Sequence, residues 1–155
     1  MNLLGNSRIY HGSHRTVEEP KILYNKFTKD FGSGFYVTKL KKQAIKWARR
    51  NTTAFVNTYD LVADNSLKIK KFDEINLEWL HFILDCRLGK SHDYDIVEGP
   101  VVDYQVYDWV QAYELSKITG EQFLIMCKSK YPINQICLCT EKAINCLKFI
   151  RVDEV

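Results

Sequence analysis

The sequence has little of what marks a membrane or secreted protein. Proline occurs only at Pro20, Pro100 and Pro132, and each position suits the boundary of an element better than its interior. No apolar run approaches the roughly 18 residues that a membrane-spanning helix requires. The N-terminus has neither a basic start nor a long apolar stretch, so we expect no secretory signal.

A strong charge of one sign and a clear metal motif are missing as well. The chain has 22 basic and 19 acidic residues, a balance that does not by itself indicate a nucleic-acid partner. Cys137 and Cys139 should share one face of a strand, but their spacing is not that of a zinc knuckle and no histidine is near them in sequence. We therefore expect no metal. The five cysteines lie mostly in apolar segments, which is typical of reduced thiols in a cytoplasmic protein.

What the chain does contain suits one globular domain over residues 1–155. Hydrophobic residues make up 46% and aromatic residues 13%, enough for a core and for a cleft that binds a flat ring. There is no repeat and no linker. Strands and helices alternate irregularly, which predicts an α+β fold rather than a doubly wound sheet.

The predicted elements follow from hydrophobic periodicity and from capping residues. Strands are expected over 8–12, 34–38, 53–61, 67–72, 94–97, 133–139 and 147–152. Helices are expected over 41–51, 76–88, 105–118, 120–129 and 140–145. Thr38 and Thr140 are expected to cap the first and last helices, and residues 16–31 to be irregular or partly helical. The strand that begins at Tyr94 is expected to stop before Gly99 and Pro100.

Two short motifs carry the functional signal. The first is Tyr10-His11-Gly12-Ser13. The second is Gly32-Ser33-Gly34-Phe35-Tyr36-Val37-Thr38, which no Gly-Lys-Ser/Thr follows, so it is not a phosphate-binding loop of that kind. Taken alone, His11 could be a satisfied strand histidine, the glycines an ordinary turn, and Tyr36 a half-buried sheet residue.

In their order and spacing these motifs resemble the ADP-ribosyltransferase superfamily. The resemblance is to the branch typified by diphtheria toxin and the poly(ADP-ribose) polymerases, which carry His, Tyr and Glu on three strands. It covers about residues 10 to 150, and its best local match is the strand, short helix and strand over 134–149. A group of small bacterial members is closer still, because it shares the patterns found here at 30–36, 43–48 and 94–100.

The resemblance implies a split β-sandwich of two mostly antiparallel sheets, with NAD bound in the cleft between them. His11 would bind a hydroxyl of the adenosine ribose. The backbone of Gly12, beside Ser13, would bind the nicotinamide carboxamide. Tyr36 would stack on the nicotinamide ring, and Trp47 would form the second aromatic wall, unless Trp47 only anchors its helix in the core.

The chain departs from that branch at its third catalytic position, where Gln135 aligns with the family glutamate. An amide keeps a hydrogen-bond acceptor but lacks the charge that stabilises the oxocarbenium ion, and losing one such contact costs roughly 10²- to 10³-fold in rate. Asp103, on a predicted loop after Gly99-Pro100, is a candidate substitute acid; it could equally be a solvated loop residue.

The implied activity is NAD-dependent mono-ADP-ribosyl transfer to a protein or nucleic acid, without a metal. The resemblance also suggests a bacterial toxin paired with an antitoxin or delivered against a competitor. Two alternatives stay open: an NAD-binding or protein-interaction module without activity, and an enzyme like the RNA 2′-phosphotransferases. The basic helix over 39–50 is either a solvated face or a contact for NAD phosphates or a nucleic-acid acceptor.

Overall fold

The computed structural model describes residues 6–22, 24 and 29–155, and it has an α+β architecture with two open sheets. The strands are β1 (Asn6–Ser13), β2 (Phe35–Val37), β3 (Phe55–Val62), β4 (Ile69–Lys71), β5 (Ile96–Pro100), β6 (Asn134–Leu138) and β7 (Leu147–Glu154). The helices are α1 (Lys41–Ala48), α2 (Leu77–Arg87), α3 (Tyr104–Glu114), α4 (Gly120–Cys127) and α5 (Glu141–Ile144). None of the helices in these ranges is long and apolar enough to cross a bilayer.

The first sheet has the order β1-β3-β7 and is antiparallel throughout. Ile9 pairs with Tyr59, and Tyr59 pairs with Phe149 on the other side. Successive residues of β3 point to opposite faces, so Tyr59 and Leu61, two residues apart, share the face that is buried against the second sheet.

The second sheet has the order β2-β6-β5-β4. β2, β6 and β5 run antiparallel to one another, and β4 is parallel to β5. Phe35, Leu138 and Ile96 are neighbours across the strands and pack into the same core as Ile9 and Tyr59. The predicted α+β class with two mostly antiparallel sheets is therefore confirmed.

The opposite face of the second sheet carries a larger core beneath α2, α3 and α4. Trp79 and Phe123 are fully buried there beside Phe31 and Val97. The indole Nε1 of Trp79 donates to the carbonyl of Pro100 (3.1 Å), which ties α2 to the end of β5. The side chains on this face include Tyr36 and Cys137.

Several predicted boundaries hold and others are wrong. Thr140 caps α5 and Asn76 caps α2, each through its side chain. Thr38 does not cap α1: the N-cap is Leu40, and the Thr38 hydroxyl oxygen instead accepts from the Leu40 N–H (3.1 Å). The predicted irregular region 16–31 lies partly outside the described residues.

The strand β5 also differs from its prediction, because it runs through Gly99 and ends at Pro100. Gly99 lies opposite Gln135, and a Cβ there would crowd Phe72 and Phe31. Pro100 lies beyond Lys71, the last residue of β4, so its missing N–H leaves no bond to β4 unmade. The glycine and proline therefore belong to the strand instead of stopping it.

Gly12 is the closest contact between β1 and α1. A Cβ at this position would overlap the carbonyl oxygen of Ala44 and lie 2.8 Å from the backbone nitrogen of Ala48. Ala44 and Ala48 are themselves fully buried against Val56 of β3. Three small residues therefore let the helix backbone lie directly on the sheet.

We expect Gly12→Ala to lower the free energy of unfolding by about 2 kcal/mol or more, because the added methyl meets helix backbone that cannot rotate away. In the control Gly120→Ala, the methyl meets only the flexible end of Leu77, and we expect a change within about 0.5 kcal/mol. Urea unfolding of both variants measures the difference. Equal stabilities would contradict the close packing of α1 on β1.

Candidate functional site

Among the described residues, β1 and the end of β2 are joined by one antiparallel bridge between the two sheets. The N–H of Tyr10 donates to the carbonyl of Thr38 (2.8 Å), and the N–H of Thr38 donates to the carbonyl of Tyr10 (2.9 Å). In a regular ladder the next hydrogen-bonded pair would be Gly12 and Tyr36. Within the described ranges that pair does not form, so the strands separate immediately after the bridge.

His11 lies at the point of separation. Its Nδ1 is 2.7 Å from the carbonyl oxygen of Tyr36, the atom that the N–H of Gly12 would have bonded. Alternate residues of a strand direct their N–H and C=O groups to the same side, so those of Gly12 point away from β3 as those of Tyr10 do. The gap between β1 and β2 is therefore bordered by the backbone donor and acceptor of Gly12.

The hydrogen bond of His11 fixes its tautomer. A carbonyl oxygen only accepts, so Nδ1 carries the proton and donates it to Tyr36. The neutral ring then has Nε2 as an acceptor. The imidazole also packs on Phe35, with ring centroids 4.2 Å apart, so its orientation is held by one hydrogen bond and one ring contact.

The surroundings of His11 favour the neutral ring. Burial lowers its pKa below the usual value of 6.5, and the nearby cations Lys29 and Arg15 lower the pKa further, against the opposing effect of the Tyr36 carbonyl. The half-buried imidazole therefore stays uncharged near pH 7. An uncharged His11 keeps the acceptor at Nε2 that a ligand hydroxyl needs.

The chain that follows β1 is fixed to the neighbouring strand by buried polar groups. The side chain of Asn57 accepts from the N–H of Val17 (2.8 Å) and donates to the carbonyl of Arg15 (3.1 Å). The hydroxyl of Tyr59 donates to the carbonyl of Val17. Ser13 lies at the start of this segment, and its hydroxyl accepts from the N–H of Arg15 (3.4 Å). These bonds hold Arg15 near the gap.

Trp47 occupies the flank of α1. It is half-buried, one position from Ala48 and three from Ala44, the two residues that face β1 and β3. At 100° per residue, this places Trp47 at the edge of the buried stripe rather than in its centre. The helix that lies on Gly12 therefore carries Trp47 at its margin.

Tyr36 is held by its hydroxyl. That group donates to the carbonyl of Gly32 (2.6 Å) and accepts from the N–H of Phe31 (3.1 Å). Gly32 adopts φ +85, a conformation that glycine provides without strain. The ammonium of Lys29 lies 5.0 Å from the centre of the Tyr36 ring. Burial and the neighbouring Cys137 raise the pKa of the Tyr36 phenol, so it remains protonated and keeps donating.

Gln135 is buried on the same face of the second sheet as Tyr36. Tyr36 pairs with Cys137, two residues along β6 from Gln135. The Nε2 of Gln135 lies 3.5 Å from a carboxylate oxygen of Asp30. Because a carboxylate accepts only, the amide turns its nitrogen to Asp30 and leaves Oε1 free for another partner.

Asp30 is itself held by an ion pair. The guanidinium of Arg87 donates to its other carboxylate oxygen (2.9 Å), and both side chains are about 20% exposed. Asp30 also lies close enough to Tyr36 to raise the pKa of that phenol. A carboxylate therefore stands beside Gln135 although position 135 has none.

The structural contacts of Asp103 are sufficient to explain an acid at this position without a catalytic role. Its carboxylate caps α3 by accepting from the N–H of Val106 (2.8 Å), and it accepts from the ammonium of Lys130 (3.0 Å). Burial raises its pKa, but these hydrogen bonds and the charge of Lys130 outweigh that effect and lower it. The acid in contact with Gln135 is Asp30 and not Asp103.

The thiols of Cys137 and Cys139 lie 3.4 Å apart, but Cys139 comes directly after the end of β6 and not within the strand as predicted. Within the described part of the chain, no group of three or more potential metal ligands comes together. The hydrogen bond between His92 and Cys139 is the main cause that raises the pKa of His92. Cys137 is buried, whereas His92 and Cys139 are only partly buried.

The sequence predicts one site for His11, Tyr36 and Gln135, but it gives no role to Asp30 and Arg87. Asp30 lies inside the pattern at 30–36, in which the resemblance gives a role only to Tyr36. Arg87 ends α2, and no local pattern connects it with Asp30, 57 residues earlier. The position of Asp30 just before the glycine-rich turn is the feature of the sequence that could have indicated an acid at this site.

The pKa of His11 gives a direct test of this geometry. We expect an NMR titration of the folded protein to place it below 6.5, and Lys29→Gln to raise it by removing a nearby positive charge. Because the folded-state pKa is depressed, stability is retained above the unfolded value and falls as the pH drops through the folded value. A His11 pKa above 6.5 would contradict the buried neutral ring.

Comparison with known proteins identifies the family of the chain. Neither the curated proteins nor the solved structures contain a match. Residues 7–149 match the model of the family described as "Protein of unknown function (DUF3990)", a range that extends from β1 into β7 and includes His11, Tyr36, Asp30 and Gln135. The chain belongs to that family.

Proposed function

We propose that this protein is an NAD-dependent mono-ADP-ribosyltransferase with an ADP-ribosyltransferase-like split β-sandwich fold. The observation that carries the proposal is the gap between β1 and β2. There the ladder stops after Tyr10 and Thr38, His11 takes the carbonyl of Tyr36, and the backbone of Gly12 is left for a ligand. This arrangement joins the two motifs on which the sequence resemblance rests.

The free edge of Gly12 suits a primary carboxamide. An amide ligand has one carbonyl acceptor and one NH₂ donor, and it can pair with the N–H and the C=O of a single residue as a neighbouring strand would. The nicotinamide of NAD carries such a group on a flat ring. Trp47 at the margin of α1 and Tyr36 next to the gap supply aromatic faces for that ring.

The remaining parts of NAD match the groups around His11. Its Nε2 accepts from a ribose hydroxyl, because Nδ1 is already committed to Tyr36. Two cations can meet the diphosphate: Lys29, whose ammonium lies 5.0 Å from the centre of the Tyr36 ring, and Arg15, whose backbone is bonded to Asn57 opposite His11. A neutral acceptor flanked by two cations fits a ribose next to a phosphate.

The reaction breaks the bond between C1′ of the nicotinamide ribose and the ring nitrogen, and nicotinamide leaves with the electron pair. The acceptor nucleophile then bonds to C1′ and loses its proton to solvent. Oε1 of Gln135 accepts from a hydroxyl of the nicotinamide ribose and holds the sugar as the positive charge develops.

Asp30 provides the negative charge that Gln135 lacks. It fixes the Gln135 amide through Nε2, and its carboxylate lies one side chain away from the ribose contact. Arg87 neutralises part of that charge, so the electrostatic help is weaker than that of a glutamate at position 135. We therefore expect slow transfer of a single ADP-ribosyl group.

The alternative of an NAD-binding module without turnover is favoured by one observation, the uncharged amide at position 135. Nicotinamide release separates the two functions. Binding of NAD together with slow release supports the transferase, and binding without any release supports the module.

The binding step is tested by calorimetric titration of NAD. We expect His11→Ala to weaken binding by roughly 0.5 to 1.5 kcal/mol through the lost ribose hydrogen bond. His81→Ala is the matched control, because His81 lies on α2 and bonds to Tyr113, away from the gap. Equal affinities of the two variants would remove His11 from the NAD site.

The catalytic step is tested at position 135. Gln135→Glu restores a carboxylate, but it places that group beside Asp30, and two carboxylates in contact do not both ionise readily. We expect a modest gain in nicotinamide release from Gln135→Glu, and a larger gain, up to about 10²- to 10³-fold, when Asp30→Asn is added. Gln135→Ala should fall below the wild type.

The order of the four proteins decides the role of this position. Equal release by all of them, with NAD binding retained, would mean that residue 135 does not reach the nicotinamide ribose. A fall in Gln135→Glu that Asp30→Asn does not reverse would mean that the chemistry depends on the amide itself.

A further inference from the structure

A groove of about 570 Å³ lies between α1 and the start of α3. One wall is formed by Gln43 and Lys46 of α1 and by Arg50 just after its end. The other wall is formed by Ile75, residues 101–104, Val106, Tyr107 and residues 130–133. The groove adjoins Gln135, because Ile133 and Val101 are linked by a backbone hydrogen bond (2.8 Å) just beyond the pair of Asn134 and Pro100.

The groove also adjoins Trp47. On α1, Gln43 is rotated by roughly 40° from Trp47, away from the side that contacts β1, and Arg50 follows just beyond the end of the helix. Around the axis of α1, Trp47 therefore lies between Ala44, which faces the sheet, and Gln43, which lines the groove. A molecule in the groove would therefore lie next to the proposed nicotinamide site without occupying it.

The groove presents aromatic side chains to solvent. Tyr104 is 93% exposed, Tyr131 95% and Tyr107 44%. Of the nine tyrosines, only Tyr24 is otherwise exposed to this extent, so three of the four exposed tyrosines line one groove. The rings of Tyr104 and Tyr131 are available as stacking surfaces, whereas the guanidinium of Arg87 already lies 4.8 Å from the centre of the Tyr107 ring.

The cations in the groove are not balanced by acids. Its lining contains Lys46, Arg50 and Lys130 against one carboxylate, Asp103. Lys130 is paired with Asp103, whereas Lys46 and Arg50 form no ion pair with any residue that the structure describes. The groove therefore carries a surplus of positive charge.

A second concavity gives a useful contrast. It measures about 620 Å³ between α2 and the loop after α3, and its charged lining is Asp85, Glu114, Lys117 and the titratable His81. Its one tyrosine, Tyr113, is only half-exposed and bonds to His81. The combination of exposed rings with unpaired cations belongs to the groove at α1.

We propose that the groove at α1 binds single-stranded nucleic acid and presents it as the acceptor of the ADP-ribosyl group. This inference rests on the proposed transferase function. Unpaired bases stack on exposed aromatic rings, and cations beside them contact the phosphates. A duplex keeps its bases stacked internally, and an acidic peptide has no flat rings to match Tyr104 and Tyr131.

The first measurement is fluorescence anisotropy with a short, labelled single-stranded oligonucleotide of mixed sequence, as DNA and as RNA. Tyr131→Ala should weaken binding by about 5- to 100-fold through loss of one stacked base. Lys46→Ala with Arg50→Ala should weaken binding and lower the slope of log affinity against log salt by about 1.4, the value for two phosphate contacts on a single strand.

Lys42→Ala with Arg49→Ala is the matched control. It removes the same charge from exposed positions of α1, but neither residue lines the groove. A salt slope that falls equally in both double variants would overturn the proposal. Equal affinity for a duplex of the same sequence, or for a poly-glutamate peptide, would overturn it as well.

The second measurement follows label from NAD to the oligonucleotide with the wild-type protein. Transfer that Tyr131→Ala reduces supports the proposal. Release of nicotinamide without oligonucleotide binding overturns the groove assignment and leaves the transferase standing. Oligonucleotide binding without NAD binding overturns the transferase function, and with it the acceptor role of the groove.

Discussion

The hydrogen bond from His11 Nδ1 to the carbonyl of Tyr36 is the contact on which the site geometry depends. One such bond contributes only about 1 kcal/mol. The bond matters because of its place: it gives a hydrogen-bond partner to the carbonyl of Tyr36, which has no strand partner where the two sheets separate. Without this side-chain donor, the split would leave the partly buried carbonyl of Tyr36 unpaired, or β1 and β2 would pair further and Gly12 would lose its free edge.

Gly12 meets two constraints at once. Its missing side chain lets α1 lie on the sheet, and its backbone borders the gap. The first constraint is sufficient to explain why a glycine stands here, even without any ligand. The packing of α1 also sets the distance between Trp47 and the gap. A packing role and a ligand-binding role of Gly12 are therefore compatible. The same contact supports both.

Local patterns predicted most elements because capping and alternation are local properties. Thr140 caps its helix as expected. The predictions for Thr38 and Gly99 were wrong because tertiary packing decided both. Thr38 forms the bridge to Tyr10, so the N-cap of α1 is Leu40. Gly99 stays in its strand because it fits beneath Phe31 and Phe72. The contact between Asp30 and Gln135 spans 105 residues, and no spacing rule reaches that far.

The environment of position 135 changes how its glutamine is understood. Judged from the sequence, an amide in place of an acid is a loss of charge. In the fold, the same amide contacts Asp30, which Arg87 holds in turn. A glutamate added at 135 would compete with Asp30 for that arginine. The effect of an exchange at position 135 therefore depends on the acid at position 30, and the two residues are best interpreted together.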